Sequence, residues 1–177
     1  RTIEIARTAG QILLDNFEKI KSTEIYFKNP KDIVTEIDKK TEKHIVDNLH
    51  KYFPEDNIIA EEDSTYLNHI DSNLWVIDPL DGTTNYLHGI PYFAVSIAYL
   101  EKNETKVGVV YVPVLNEMFY AVKGEGAYLN GKRIAVSKSD KLINALAVTG
   151  FACIRANKPD NNLDNFNRIA PQLREIR

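Results

Sequence analysis

The sequence predicts a mixed fold, α/β of the α+β kind: two N-terminal helices, then short apolar strands, then an antiparallel meander. Three observations predict it. Apolar residues recur at helical spacing over residues 2–20 and again over 35–53. Two short apolar runs, 57–60 and 74–77, each end at acids. From Phe93 onward, runs rich in Tyr, Val and Ile alternate with turn signals, of which Asn130-Gly131 is the strongest.

Taken in order, Ile3, Ala6, Ala9, Leu13, Phe17 and Ile20 step by three and four with polar residues between them, an amphipathic helix. Residues 23–29 carry Ile25 and Phe27 in alternation, a short strand or extended loop. Lys28-Asn29-Pro30-Lys31-Asp32 then reads as a turn with two cations. In the second helix Ile37, Thr41, Ile45, Leu49 and Tyr52 share a face, and Pro54 ends it. Its start, Thr35-Glu36-Ile37-Asp38, fits a capping box in which Asp replaces the usual Glu. His44 and His50 lie in this helix without metal-ligand spacing, so both read as surface or packing residues. Residues 57–60 form a short strand before Glu61-Glu62, and His69 lies in a polar loop, 64–73, with no evident role.

The strand 74–77 stops at Asp78, because Pro79 cannot donate to a central ladder. Asp81 follows, then Gly82, which permits a sharp turn or close approach to a ligand. Thr83, Thr84 and Asn85 are types that satisfy free amides at a helix start. Beyond them, 93–100, 106–112, 117–122, 126–129 and 132–136 form the meander. Residues 145–149 read as a further strand. Residues 163–176 read as a helix that Pro171 kinks or divides.

Composition narrows the function. At 177 residues the chain suits one substantial core or a piece of a larger one, and a net charge of −3 advertises neither nucleic acid nor anionic membrane. The single cysteine, Cys153, excludes an internal disulfide, suits a reducing cytoplasm and reads as a small buried residue. No apolar run reaches membrane length, and the periodic N-terminus is not a secretory signal. The first residue is Arg rather than Met, so residues are expected before it. There is no P-loop, no GxGxxG, no Gly-x-Ser-x-Gly elbow and no internal repeat.

The acids carry the chemistry. Two apolar strands that each end in carboxylates suggest adjacent strands presenting acids at one edge. Carboxylates held close repel unless a cation sits between them. Free amides at a helix start attract phosphate. The combination points to a divalent metal and a phosphate.

The residues Trp75-Val76-Ile77-Asp78-Pro79-Leu80-Asp81-Gly82-Thr83-Thr84-Asn85-Tyr86, continuing through His88-Gly89-Ile90-Pro91-Tyr92-Phe93-Ala94-Val95-Ser96-Ile97-Ala98, resemble the signature of the inositol monophosphatase family. Ile59-Ala60-Glu61-Glu62-Asp63-Ser64 and Lys31-Asp32-Ile33-Val34-Thr35-Glu36-Ile37-Asp38 are similar to two further motifs, in the family's order. The likeness runs over about residues 1–150 and is looser beyond.

That resemblance implies a layered sandwich of the inositol monophosphatase and fructose bisphosphatase type. It implies Mg²⁺ as cofactor, held first by Glu61, Asp78 and the Leu80 carbonyl and second by Asp78 and Asp81, with Glu62 a neighbouring acid behind them. Asp38 and Thr83 are implied to activate water, which reverses the capping reading of Asp38. Asp81, Gly82, Thr83 and Thr84 are implied to hold phosphate, and Lys28 and Lys31 are candidates for phosphate contact. The implied reaction is hydrolysis of inositol-1-phosphate to inositol and phosphate in a cytoplasmic, lithium-sensitive homodimer. Fructose-1,6-bisphosphatase activity is the alternative on the same fold. A non-catalytic module that binds transcription or ribosome-maturation factors, and through them nucleic acid, is the alternative of another class. The family's Trp-Asp-x-Ala motif does not occur in residues 1–177. The expectation is therefore a single domain or the N-terminal part of one, with a C-terminal portion absent.

Overall fold

A computed structural model describes residues 1–17, 26–29, 32–34, 36–61, 65–66, 73–150 and 162–176, with 26–29, 32–34 and 65–66 described by backbone alone. Ile20, Ile25, Lys31, Thr35, Glu62, His69, Cys153 and the Lys28 side chain lie outside the described residues. The chain divides into two compact units, Arg1–Ala135 and Val136–Arg177.

In the first unit, helix α1 (Thr2–Phe17) turns Ile5, Ala6, Ala9, Gly10 and Leu13 inward. Helix α2 (Glu36–Tyr52) buries Ile37, Thr41, Ile45, Val46 and Leu49 as its periodicity requires, and Asp38 and Glu42 with them. The helices pack on each other, and the Thr8 hydroxyl meets the His44 ring nitrogen Nε2 at 2.8 Å across the seam. His44 is thus a packing residue, and its burial lowers its pKa.

Among the described residues, ten strands follow in this unit. A hairpin pairs β1 (Tyr26–Asn29) with β2 (Asp32–Val34). The main sheet holds β3 (Asn57–Ala60), β4 (Thr65–Tyr66), β5 (Leu74–Asp81), β6 (Ala94–Glu101), β7 (Glu104–Val112), β8 (Glu117–Val122), β9 (Gly126–Leu129) and β10 (Lys132–Ile134). Its spatial order is β10-β9-β8-β7-β6-β5-β3-β4. The β5-to-β10 stretch is the expected meander, and β3 pairs with β5 in parallel. β4 was not expected: the polar loop after Glu61 contributes two residues antiparallel to β3 at the sheet edge.

One face of this sheet carries the core. Trp75, Ile77, Val95, Ile97, Val109, Tyr111 and Met118 are buried there, with α1 packed against β6 and β7 and α2 against β5. Filling such positions stabilises by about 1.5–3 kcal/mol for each large apolar side chain. The opposite face is open. Ile59, Val76, Val110 and Ile134 lie on it, each 36–38% exposed.

In the second unit, β11 (Leu146–Ala147) pairs in parallel with β12 (Glu175–Ile176). The strand expected over 145–149 is shorter than its apolar run. The helix expected over 163–176 is divided at Pro171. An α-helix spans Leu163–Ile169, a 3₁₀ turn spans Ala170–Gln172, and extended chain follows.

Gly10 fixes how closely α1 approaches the sheet. A Cβ there would lie 2.5 Å from the Tyr111 ring, which is buried and whose hydroxyl donates to Asn116 Oδ1. Gly10→Ala gains about 1 kcal/mol of helix propensity but overpacks at a cost of about 1–3 kcal/mol. The expected result is a lower urea midpoint, a net loss of about 1 kcal/mol. A midpoint raised by the substitution would show that the ring yields freely.

Candidate active site

The acids are brought together by two features of the sheet. The first is the parallel register of β3 and β5, in which Ala60 lies beside Ile77. The next residues in each strand direction are Glu61 and Asp78, so both leave the paired region on the same face. The second is an irregularity in β5. Asp78 pairs with Ser96 and Asp81 with Ala94, so Pro79 and Leu80 stand opposite Val95 alone. That is a bulge of one extra residue.

The bulge corrects the expectation that Pro79 ends the strand. β5 continues to Asp81, because Pro79 sits where the ladder is already interrupted and its missing N–H costs no regular rung. The extra residue also changes which way Asp81 points. Three positions apart in a regular strand, two side chains face opposite ways. Here Asp78 and Asp81 pair with Ser96 and Ala94, two apart on β6, so both stand on the face away from α1 and α2.

The electrostatics follow. Burial raises the Asp78 pKa to about 7, reinforced by the charge of Glu61, a hydrogen bond with Glu61 and the charge of Asp81. The Leu80 amide, 3.1 Å from Asp78 Oδ1, opposes this. Asp78 therefore holds its proton toward the neutral range, as a buried carboxyl beside other carboxylates does. Among the described residues, no group of three or more His, Cys, Asp or Glu side chains is gathered closely enough to hold a metal. The structure supplies a hydrogen-bonded pair and a third charge near it.

Gly82 follows at φ 97°, and a Cβ there would come within 3.0 Å of the Tyr92 carbonyl oxygen. The close approach is to the chain's own backbone leading into β6. Gly82 is also the N-cap of helix α3 (Thr83–Leu87), which has no side-chain capping bond. The residues expected to satisfy that helix start do other things. Thr83 donates to the Leu80 carbonyl at 3.0 Å, and Asn85 donates to the Tyr92 carbonyl at 2.8 Å. Thr84 is exposed.

Asp38, in the first turn of α2, is 2% exposed. A carboxylate that served only to cap a surface helix would face water; this one faces inward. Tyr86 in α3 feels it: burial first, then the Asp38 charge, raises the tyrosine pKa. Tyr86 is itself fully buried, packs against Phe17 and Phe93, and donates its hydroxyl to the Leu13 carbonyl at 2.8 Å. Asp38 thus lies near the helix that carries Thr83, while the Thr83 hydroxyl is turned to Leu80. Two residues were not picked out in the sequence, a buried acid one turn from Asp38 and a hydroxyl residue opposite Asp78. Glu42, 3% exposed, follows Asp38 by one helical turn, a spacing that was legible. Ser96 opposes Asp78, which only the register reveals.

Strand-end carboxylates on a mixed sheet with helices packed on one face define the class of protein by its fold. The comparisons give the class its family. The family model described as "Inositol monophosphatase family" matches residues 2–176. The fructose-1,6-bisphosphatase/inositol-1-monophosphatase of Thermotoga maritima is 43% identical over 149 residues, covering 84% of this chain and 57% of that protein. The Nus factor SuhB of Pasteurella multocida is 45% identical over 150 residues, covering 84% of this chain and 56% of that protein. The crystal structure of the extragenic suppressor protein suhB from Bartonella henselae superposes with a TM-score of 0.91 at 32% identity, covering 99% of this chain and 67% of that one. This chain belongs to the inositol monophosphatase family, and its mixed, mostly antiparallel sheet is that family's fold. It spans a little over half the length of the curated relatives it matches.

The raised Asp78 pKa sets a pH dependence. Between its ordinary value of 3.8 and about 7, the folded protein holds a proton that the unfolded chain has released. Stability attributable to Asp78 is therefore full at low pH and lost as pH rises toward the folded pKa. With chelator present, the urea midpoint of Asp78→Asn should gain on that of the unmodified protein between pH 5 and pH 8, by roughly the loss this linkage predicts. Parallel midpoints at both pH values would show that Asp78 is not strained by its neighbours.

Proposed function

We propose that this chain carries the metal-holding and water-activating residues of a phosphomonoesterase that hydrolyses inositol-1-phosphate to inositol and phosphate with Mg²⁺. The observation that carries this reading is the meeting of Glu61 and Asp78 at the ends of paired strands, with Asp81 turned to the same face. The donor set is all oxygen, which suits Mg²⁺ rather than zinc. The proton that Asp78 holds there toward the neutral range is one a divalent ion would displace. In this reading Glu61, Asp78 and the Leu80 carbonyl hold one ion, and Asp78 and Asp81 hold a second. A carbonyl oxygen has two lone pairs, so Leu80 can accept from Thr83 and still face an ion. When bound, such ions screen the phosphate charge and make water a stronger nucleophile.

The chain's own residues supply the rest. Asp38 is the general base, acting through the Thr83 hydroxyl. Thr83 has one hydroxyl proton, so the relay requires it to leave Leu80 and turn to Asp38. The start of α3, free of side-chain caps, holds phosphate oxygens through amides near Gly82, Thr83 and Thr84, with Asp81 beside them. On this reading the protein works as a cytoplasmic, lithium-sensitive homodimer. Among the described residues no helix is long and apolar enough to cross a membrane.

Two specific observations favour other readings. One relative's name includes fructose-1,6-bisphosphatase, which supports a second sugar phosphate as substrate on the same site. Another is named a Nus factor, which supports a binding role toward transcription factors.

The test is made on the full-length protein. Asp78→Asn should abolish or greatly weaken Mg²⁺ binding by calorimetry. With metal saturating, Asp38→Asn should lower kcat for phosphate release by roughly 10²–10⁴. Thr83→Val should give a similar loss and the double variant little more, since members of one relay are not additive. Normal turnover in Asp38→Asn with a lowered urea midpoint would return Asp38 to a capping role. Binding of a transcription factor that survives Asp78→Asn, with no phosphate release from any sugar phosphate, would favour the binding module.

A further inference from the structure

We propose that Asn85 is a positioning residue for Asp81, its side-chain amide clamping the turn after Asp81 onto the start of β6 through the Tyr92 carbonyl; this rests on the metal-site reading above. The direction of Asp81 is set from two sides. On one side are the bulge and the rung to Ala94 of β6. On the other is Gly82, where a Cβ would come within 3.0 Å of the Tyr92 carbonyl oxygen and 3.3 Å of Phe93 Cα. The Asn85 nitrogen Nδ2 donates to that same oxygen at 2.8 Å. One carbonyl, two residues before Ala94, therefore meets both the turn and the helix that grows from it.

Hydrogen bonds, not packing, hold this carbonyl in place. Residues 88–92 are all exposed, Tyr92 by 64%. With no buried side chain to anchor it, the segment is tied to α3 through its backbone. His88 and Ile90 donate to the Asn85 carbonyl, Ile90 at 2.8 Å, and Gly89 donates to the Tyr86 carbonyl at 3.1 Å. The Tyr92 N–H is spent inside the segment, on the Ile90 carbonyl, and Pro91 has no N–H to give. The far end is secured by the Asn85 side chain. Asn85 thus grips the segment twice, Ile90 with its carbonyl and Tyr92 with its Nδ2. Without that nitrogen the Tyr92 carbonyl can turn to water, and the oxygen against which Gly82 packs moves with it. A glycine at φ 97° has no side chain of its own to restore the turn, so the change passes to Asp81 just before it. The bond touches neither metal nor substrate; it acts on where Asp81 is held.

The experiment measures Mg²⁺ affinity of the full-length protein by calorimetry, with magnesium chloride as the only ligand. Groups that support a metal ligand are commonly worth about 10–100-fold in affinity. Asn85→Ala should therefore bind about tenfold more weakly than the unmodified protein. Asn85→His keeps an N–H, on Nδ1, as many bonds from the backbone as the lost one. It should bind more tightly than Asn85→Ala. In an Asp81→Asn background, Asn85→Ala should cause no further loss, because changes that act through one ligand are not additive. Urea midpoints taken with chelator separate these effects from folding, since a purely structural role would lower the midpoint and leave affinity alone. Three results would each overturn the role of Asn85 while leaving the metal site intact: undiminished affinity in Asn85→Ala, no recovery in Asn85→His, or a full further loss in the Asp81→Asn background. Absence of Mg²⁺ binding in the unmodified protein would overturn the metal-site reading and the role of Asn85 with it.

Discussion

The extra residue in β5 is the constraint on which the site depends. Without it, Asp81 would point to the face that holds Trp75 and Ile77, under the helices, where an exposed carboxylate has no place. With it, Asp78 and Asp81 stand on one face beside Glu61, and the buried side of the strand continues through Leu80, 1% exposed. One bulge therefore serves two demands at once: it keeps the apolar side of β5 in the core and gathers the charges on the other. Pro79 is compatible with this arrangement because the bulge has already given up the regular rung. The cost is visible in the raised pKa of Asp78, caused first by burial and then by the neighbouring Glu61 and Asp81 charges.

The helix layer matters to the site through a second constraint, the aromatic contacts beneath α3. Phe17 of α1, Tyr86 of α3 and Phe93 at the start of β6 pack in mutual contact, with ring centroids 4.8–5.3 Å apart. The Tyr86 hydroxyl on the Leu13 carbonyl adds a bond between α3 and α1. Because α3 begins two residues after Asp81 and Gly82 between them cannot carry a side chain, the strand end, the helix start and the helix layer are held as one piece. Asp38 lies in that layer, near enough to Tyr86 for its charge to raise the tyrosine pKa, while the strand-end acids stand on the opposite face of the sheet.

Much of this was legible in the residues, for reasons that can be stated. The helices were read from apolar spacing because α1 and α2 each bury one face, and the meander was read because Asn130-Gly131 and β-branched runs mark hairpins. The parallel pairing of β3 and β5 was foreshadowed by two apolar runs ending in acids. The path of β5 past Pro79 was not legible. A proline forbids a regular central rung, and no local signal says that the rung is already broken. The partner chosen by Thr83 was likewise invisible, because a hydroxyl at a helix start serves equally well as cap, relay or turn bond. β4 was missed because two residues of edge strand have no periodicity to detect.

Asp38 is buried in the first turn of α2, and that position bears on how its carboxylate is used. A carboxylate 2% exposed in the first turn of a helix gains from the helix dipole, but that gain is about 0.3–1 kcal/mol at an exposed site. Desolvating an acid costs more than this unless charge-favouring contacts surround it. A capping role alone would leave the inward orientation unexplained, since the same bond can be made from the surface. Glu42, one turn on and equally hidden, repeats the pattern on the same helix face. Two buried acids in a helix whose other buried residues are Ile37, Thr41, Ile45, Val46 and Leu49 break the rule that apolar groups fill such a face. Local rules tend to be broken where a site demands it. The break lies one helix away from the place where β3 and β5 deliver their own carboxylates.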